Sequence, residues 1–231
     1  MTREALDQKI KDIENEILVL CNMVEKATLH SIDTIKKRDL VTAKKIHDGD
    51  ADINEKRFAI ENAILILIAT QQPMAHDLRM LAAMLEVAGE LERMGDYAKG
   101  IAKVACRLGK ADLPIPENEI EKMGKLSVSM LHKAITAFVE EDFKTAALIP
   151  DEDDKVDELY KFIYQDTLTK LGQNPKHIDQ VILMLWVAHN LERLADRVTN
   201  ICERTVFIAT GELLELDSDE GADYTDEEDD L

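Results

Sequence analysis

The sequence predicts an all-α protein in which six long helices form two homologous, antiparallel three-helix bundles. Composition is the first reason, because nine Gly and five Pro among 231 residues are too few for a turn-rich sandwich or barrel. An internal repeat is the second reason, since it divides the chain into two halves of similar length. The third is that apolar residues keep a helical period between a few strong helix breakers.

The internal repeat pairs three segments of the first half with three of the second. The pairs are 37–46 with 140–149, 72–77 with 174–179, and 91–96 with 191–196. Their separation falls from 103 to 100 residues along the chain, as small deletions between helices would produce. We therefore predict a first repeat over 1–108 and a second over 117–215, with a linker at 109–116.

Each repeat divides into three helices. Asp39 and Asp142 are typical N-cap residues after the first helix, and Pro73 and Pro175 mark the turn after the second. Pro150 lies inside the fifth predicted helix and should either kink it or mark its true start. The predicted spans are 3–37, 40–71, 74–108, 117–140, 143–171 and 175–214. Helices of this length joined by such short turns must pack antiparallel.

Net charge and the apolar pattern indicate which partners and which cellular compartment to expect. A net charge of −19 disfavours binding to nucleic acid and to anionic membrane surfaces. Nine acidic residues lie in 217–231, so we predict that 216–231 is a disordered acidic tail. The N-terminus lacks the apolar core of a signal peptide, and no apolar run is long enough to span a bilayer. We expect a cytoplasmic protein without membrane insertion. Its cysteines, Cys21, Cys106 and Cys202, are then expected to be buried free thiols.

Four oxygen-bearing pairs at i,i+4 spacing interrupt the apolar stripes of these helices. The pairs are Asp50/Asn54, Glu92/Asp96, Asp153/Asp157 and Glu192/Asp196. Glu92 and Glu192 each take a heptad position where the pattern otherwise places Leu or Ala. A single pair of this kind usually only solvates a helix or meets Lys or Arg. Four pairs placed by the same rule in two repeats favour a shared chemical role.

The spacing of the pairs around each turn predicts where they meet. The first two pairs are centred on Pro73, and the other two are centred between Asn174 and Pro175. Residues equidistant from the turn of an antiparallel hairpin face each other, so each repeat should bring its two pairs together. Several carboxylates in one partly dry site require a cation. We predict a metal site in each repeat, and oxygen ligands favour hard cations such as Mg, Ca, Mn or Fe.

Signals for catalysis are weak by comparison. His189 could add a nitrogen ligand beside Glu192, but its counterpart is Gly89, which favours a partly buried structural histidine. The sequence contains no Glu-x-x-His, no Gly-rich phosphate loop and no nucleophile elbow. We therefore predict no catalytic and no organic-cofactor residues. A carboxylate-bridged metalloenzyme built on a helical bundle stays open as the alternative.

Several segments of the chain closely resemble the PhoU family of phosphate-transport regulators. They are GDADIN at 49–54, QPMAHDLR at 72–79, ELERMGDYAKGI at 90–101 and NLERLADRVTNI at 190–201. The resemblance implies a cytoplasmic negative regulator of phosphate uptake and of the phosphate-starvation response. It also implies contact with the ATPase subunit of the phosphate ABC transporter and with the phosphate-sensing histidine kinase, and a homodimer is a further expectation.

The resemblance also implies metal ligands. The resemblance implies multinuclear metal clusters, of iron or another metal, and the oxygen ligands leave Mn, Mg and Ca as alternatives to iron. Carried over onto this sequence, the ligands are Asp50, Glu92, Asp96, Asp153, Asp157, Glu192 and Asp196. Asn54, which completes the first set by position, departs from the carboxylate pattern.

Overall fold

The computed structural model describes residues 3–109, 116–173 and 178–216, and no strand occurs within these ranges. The first repeat consists of helices α1 (Arg3–Lys37), α2 (Leu40–Gln71) and α3 (His76–Leu108). The second consists of α4 (Glu117–Val139), α5 (Phe143–Ala146), a 3-10 turn (Pro150–Glu152), α6 (Asp153–Gln173) and α7 (Ile178–Thr210). The predicted all-α class with six long helices is confirmed.

The two repeats form two packed bundles that share an interface. Helices α1, α2 and α3 pack against one another, and so do α4, α6 and α7. Helix α3 packs along α7, and α1 packs along α4, which joins the bundles. Across the α3–α7 interface, Arg204 Nε lies 3.1 Å from Glu86 Oε2. The predicted carboxylate pairs of α3 and α7 therefore stand on the two central helices of the molecule.

The helix boundaries follow local chemistry. The side chains of Asp39 and Asp142 accept hydrogen bonds from the backbone N–H of Thr42 and Thr145 at 3.0 and 3.1 Å, so both predicted N-caps are confirmed. Helix α3 begins at His76 rather than at residue 74. Ala75 has a φ of 50°, which lies outside the right-handed helical region and delays the start of the helix.

The predicted continuous helix over 143–171 is wrong. Helix α5 is a single turn, and Pro150 opens the 3-10 turn that leads into α6 at Asp153. Proline lacks a backbone N–H and clashes with the preceding turn of a helix, so Pro150 marks the start of the long helix instead of kinking it. Helix α7 likewise ends at Thr210, because Gly211 adopts a φ of 82°.

Cysteine burial departs from the sequence prediction at one position. Cys21 and Cys202 are buried as expected, and burial raises the pKa of Cys202 to about 12. Cys106 is exposed, so its predicted burial is wrong.

Most of the predicted linker at 109–116, the turn at Pro175 and the tail after Leu216 lie outside the described residues. Within the described ranges, no helix is apolar enough over a sufficient length to cross a membrane.

Candidate metal centres

Helices α2 and α3 bring the first two oxygen-bearing pairs together as predicted. Gly95 of α3 packs against Ile53 of α2 so closely that a Cβ atom on Gly95 would lie 3.1 Å from two side-chain atoms of Ile53. This close approach places Asp50 and Asn54 opposite Glu92 and Asp96. We call these four residues the N-terminal cluster.

A lysine that the sequence reasoning did not single out lies inside the N-terminal cluster. The ammonium of Lys99 donates a hydrogen bond to Asp50 Oδ2 at 2.6 Å and lies 3.5 Å from Asp96 Oδ1. The Asp50 side chain is only 6% exposed. The hydrogen bond to Asp50, assisted by the negative charge of Asp96, raises the pKa of Lys99 and keeps it protonated. Lys99 follows Glu92 by seven residues, and this spacing is the signal that could have revealed it.

The remaining side chains of the N-terminal cluster also meet protein partners. Asn54 Nδ2 donates to Asp50 Oδ2 at 3.1 Å, so the amide acts as a hydrogen-bond donor. Burial, and then the nearby charge of Asp96, raises the pKa of Glu92, while the guanidinium of Arg57 opposes this shift. Three carboxylates therefore share the cluster with two cationic side chains. The Asp50 Oδ1 atom is buried and accepts no hydrogen bond from the described residues.

Helices α6 and α7 carry the other two predicted pairs, Asp153/Asp157 and Glu192/Asp196, which we call the C-terminal cluster. Glu192 lies near Tyr160 of α6, and burial together with the charge of Glu192 raises the pKa of Tyr160. Asp153, Asp157 and Glu192 are half-buried, whereas Asp196 is exposed. That Asp153 and Asp157 lie opposite Glu192 and Asp196 stays a prediction.

His189 adds a nitrogen to the edge of the C-terminal cluster. Its side chain is 47% exposed, so the expected partial burial is wrong. Its Nδ1 atom lies 3.0 Å from Glu192 Oε2, and its ring centroid lies 6.2 Å from that of Tyr160. The Glu192 Oε2 atom is buried, and its close contact with His189 lacks the geometry of a hydrogen bond.

The two clusters differ at the positions of the cations. By the repeat alignment, Arg57 corresponds to Tyr160 and Lys99 corresponds to Thr199, so both cationic positions are neutral in the second repeat. Thr199 is 2% exposed, and its hydroxyl makes no hydrogen bond to the described residues. Cations do approach the C-terminal cluster from outside. Lys161 Nζ lies 3.8 Å from Asp157 Oδ2, and Arg197 lies near Asp196.

Arg197 is already engaged with the first repeat. Its Nε atom donates to the Tyr97 hydroxyl at 3.4 Å, and its Nη1 atom lies 3.5 Å from Glu90 Oε2. The hydrogen bond to Tyr97, together with the charges of Glu90 and Asp196, raises the pKa of Arg197. Arg197 therefore belongs to the α3–α7 interface and is shared between Asp196 and α3.

The donor chemistry of the two clusters fits a metal ion unequally. Across residues 3–109, 116–173 and 178–216, no three His, Cys, Asp or Glu side chains converge closely enough to hold a metal ion. The C-terminal cluster has four carboxylates, the donors that a hard cation prefers, and one Glu192 oxygen lies 3.0 Å from His189 Nδ1. In the N-terminal cluster, the Lys99 ammonium already lies against Asp50 Oδ2 and near Asp96 Oδ1, and its positive charge opposes the binding of a metal ion there.

Fold and site together define a class, namely an all-helical protein of two homologous repeats with one carboxylate-rich cluster in each. The family model described as the PhoU domain matches residues 5–105 and 120–205. The match covers most of both repeats, and the chain belongs to the PhoU family.

Individual relatives share the whole architecture. The chain is 34% identical to the phosphate-specific transport system accessory protein PhoU homolog of Clostridium acetobutylicum, over 94% of this chain and 99% of that protein. It is 31% identical to the phosphate-specific transport system accessory protein PhoU of Escherichia coli K12, over 88% and 85% of the two chains. The crystal structure of the PhoU regulatory protein of Streptococcus pneumoniae superposes with a TM-score of 0.84 at 32% identity, over 90% and 99%.

Proposed function

We propose that the protein is an accessory protein of a phosphate-specific transport system. The observation that carries this proposal is that the curated relatives bearing this description match both repeats over nearly the whole chain. In this role the protein represses phosphate uptake and the phosphate-starvation response without catalytic turnover. It acts in the cytoplasm by contact with the ATPase subunit of the phosphate ABC transporter and with the phosphate-sensing histidine kinase.

Charge supports a mechanism based on contact. A net charge of −19 steers the protein toward basic surfaces and repels free phosphate. The interaction with either partner should therefore weaken as salt screens it. Retention of the purified protein on the immobilised ATPase subunit or kinase should fall across a salt series. The matched control for nonspecific attraction is an unrelated basic protein, immobilised in place of the partner and similar to that partner in net charge.

The regulatory role has a separate genetic test. Deleting the gene should leave phosphate-starvation genes expressed in phosphate-replete cells, and the intact gene supplied in trans should restore repression. Normal repression in the deletion strain, together with no binding to either partner at low salt, would refute the regulatory role. That result would favour the alternative of a carboxylate-bridged metalloenzyme.

A metal-binding C-terminal cluster is the second part of the proposal. Asp153, Asp157, Glu192 and Asp196 would hold a hard cation, with iron first and Mn, Mg or Ca as alternatives, in a mononuclear or multinuclear site. The bound cation would offset the mutual repulsion of these carboxylates. The donor type supports this assignment, because four carboxylates stand at i,i+4 spacing on α6 and α7, with the His189 nitrogen 3.0 Å from Glu192 Oε2.

The metal is tested on protein purified without chelators. Elemental analysis should find metal in the unaltered protein, and the combined Glu192→Ala and Asp196→Ala changes should remove it while circular dichroism shows intact helices. Glu158→Ala on α6 is the matched control, because Glu158 is an exposed carboxylate that belongs to neither cluster. Unchanged metal content in the double variant would refute the assignment.

A further inference from the structure

We infer that Lys99 is a built-in counterion that replaces a metal ion in the N-terminal cluster, so that the residue at position 99 or 199 decides which repeat accepts a metal. The inference deepens the proposed function, because it rests on the metal-binding role of these clusters. It departs from the sequence prediction, which assigned a metal to both repeats.

The position of the Lys99 ammonium is the first support. It lies 2.6 Å from Asp50 Oδ2 and 3.5 Å from Asp96 Oδ1, so one positive charge bridges a carboxylate of α2 and a carboxylate of α3. A divalent ion that used the same two oxygens would have to displace this ammonium and overcome its repulsion. Asp50 Oδ2 also accepts a hydrogen bond from Asn54, so two protein donors already share this oxygen.

The second repeat provides the internal comparison. Its cluster has a fourth carboxylate, Asp157, where the first repeat has Asn54, and it has Thr199 in place of Lys99. Thr199 is 2% exposed and its hydroxyl has no hydrogen-bond partner among the described residues, and its short, neutral side chain brings no cation to the cluster. At the equivalent position, the first repeat therefore has a cationic side chain and the second has a neutral one, while Lys161 and His189 approach the second cluster from its edge.

Removing the built-in charge should open the first cluster. Lys99→Thr leaves the Asp50, Glu92 and Asp96 carboxylates together, and the buried Asp50 Oδ1 atom already lacks a hydrogen bond within the described chain. We therefore expect Lys99→Thr to bind a metal in the N-terminal cluster. Lys99→Arg retains the positive charge and should not. Lys103→Thr, one turn further along α3, removes an exposed lysine outside the cluster and is the matched control.

The experiment measures Mn²⁺ binding to the metal-stripped full-length protein by electron paramagnetic resonance of the free ion and by titration calorimetry. Each change is made in the unaltered chain and in a Glu192→Gln, Asp196→Asn background that removes the C-terminal site. In that background Lys99→Thr should restore Mn²⁺ binding, whereas the Lys99→Arg and Lys103→Thr controls should not. In the unaltered chain, Lys99→Thr should roughly double the bound Mn²⁺.

The reciprocal change tests the second repeat. Thr199→Lys should abolish Mn²⁺ binding in the unaltered chain. Because Thr199 is buried, the result for Thr199→Lys is used only if circular dichroism and gel filtration show the same fold as the parent protein. Lys99 is partly exposed, so Lys99→Thr tests the inference independently of the Thr199 variant.

Failure of the inference and failure of the proposed metal site give different results. If the C-terminal changes leave about half of the metal in place, the first cluster already binds metal and the inference is overturned, although the proposed function stands. If Lys99→Thr gains no Mn²⁺ in either background, the inference is also overturned. If the unaltered protein binds none, the proposed C-terminal site fails, while a gain of binding in Lys99→Thr would still support the role of Lys99.

Discussion

Replacing Lys99 by Met should destabilise the protein in metal-free buffer, because the buried Asp50 carboxylate would lose the cation that neutralises it. Removing one partner of a fully buried ion pair costs about 3–5 kcal/mol. Lys99 is 35% exposed, so water screens part of this cost, and Asn54 continues to donate to the same carboxylate. We expect a loss of about 2 kcal/mol in the free energy of unfolding. For a chain of this size, that corresponds to a Tm lower by about 4–8 °C.

A double-mutant cycle isolates the ion pair from the effect of the lysine stem. Lys99→Met, Asp50→Asn and the combined variant are unfolded by urea in the presence of a chelator, with Lys103→Met as the control on the exposed face of α3. The coupling energy between Lys99 and Asp50 should be about 1–2 kcal/mol. A coupling below about 0.5 kcal/mol would show that the contact is not a working ion pair, and the reasoning about the N-terminal cluster would then be wrong.

Three further predictions concern other parts of the chain. Cys106 should be the one thiol that reacts rapidly with a disulfide reagent in the native protein, and a Cys106→Ser variant should lose this fast reaction while two further thiols react only on denaturation. Hydrogen bonds from Lys125 and Lys36 lower the pKa of Glu121 to about 2, so its stabilising contribution is complete above the unfolded pKa of 4.5 and is lost as pH falls toward 2. A carboxyl NMR titration of Glu121 with a midpoint near 4.5 would contradict this. A chain truncated after Leu216 should keep its helicity and Tm, because 217–231 has no apolar stripe to bury, and a large fall in Tm would contradict the predicted disordered tail.

Much of the candidate site follows from periodicity and the repeat. The i,i+4 spacing places Glu92 and Asp96 on one face of a helix, and equal distance from the turn places them opposite Asp50. The same arithmetic predicts the meeting of the equivalent residues in the second repeat. In the first repeat the inference holds because an α-helix has a regular rise and a short turn leaves the chain only one way to return, and in the second repeat it stays a prediction.

Other features could not be predicted from the sequence, because their local pattern is compatible with more than one structure. Pro150 was compatible with either a kink or a helix start, and in the structure it opens the 3-10 turn that leads into α6. Cys106 lies on the same amphipathic helix as many buried residues, and its exposure depends on which face of α3 the neighbouring helices cover. His189 likewise follows the α7 pattern but lies at the open edge of the cluster.

The sequence by itself determined the helical class, the two repeats, the N-caps at Asp39 and Asp142, and the level along each helix at which the carboxylates stand. These properties depend on backbone periodicity, which amino-acid order records directly. Only the tertiary structure decided that Lys99 reaches across to Asp50 and Asp96, while Thr199 stays buried without a hydrogen bond from the described chain. The physical reason is that a lysine side chain has many rotamers, and its preference among them depends on charges brought close by another helix.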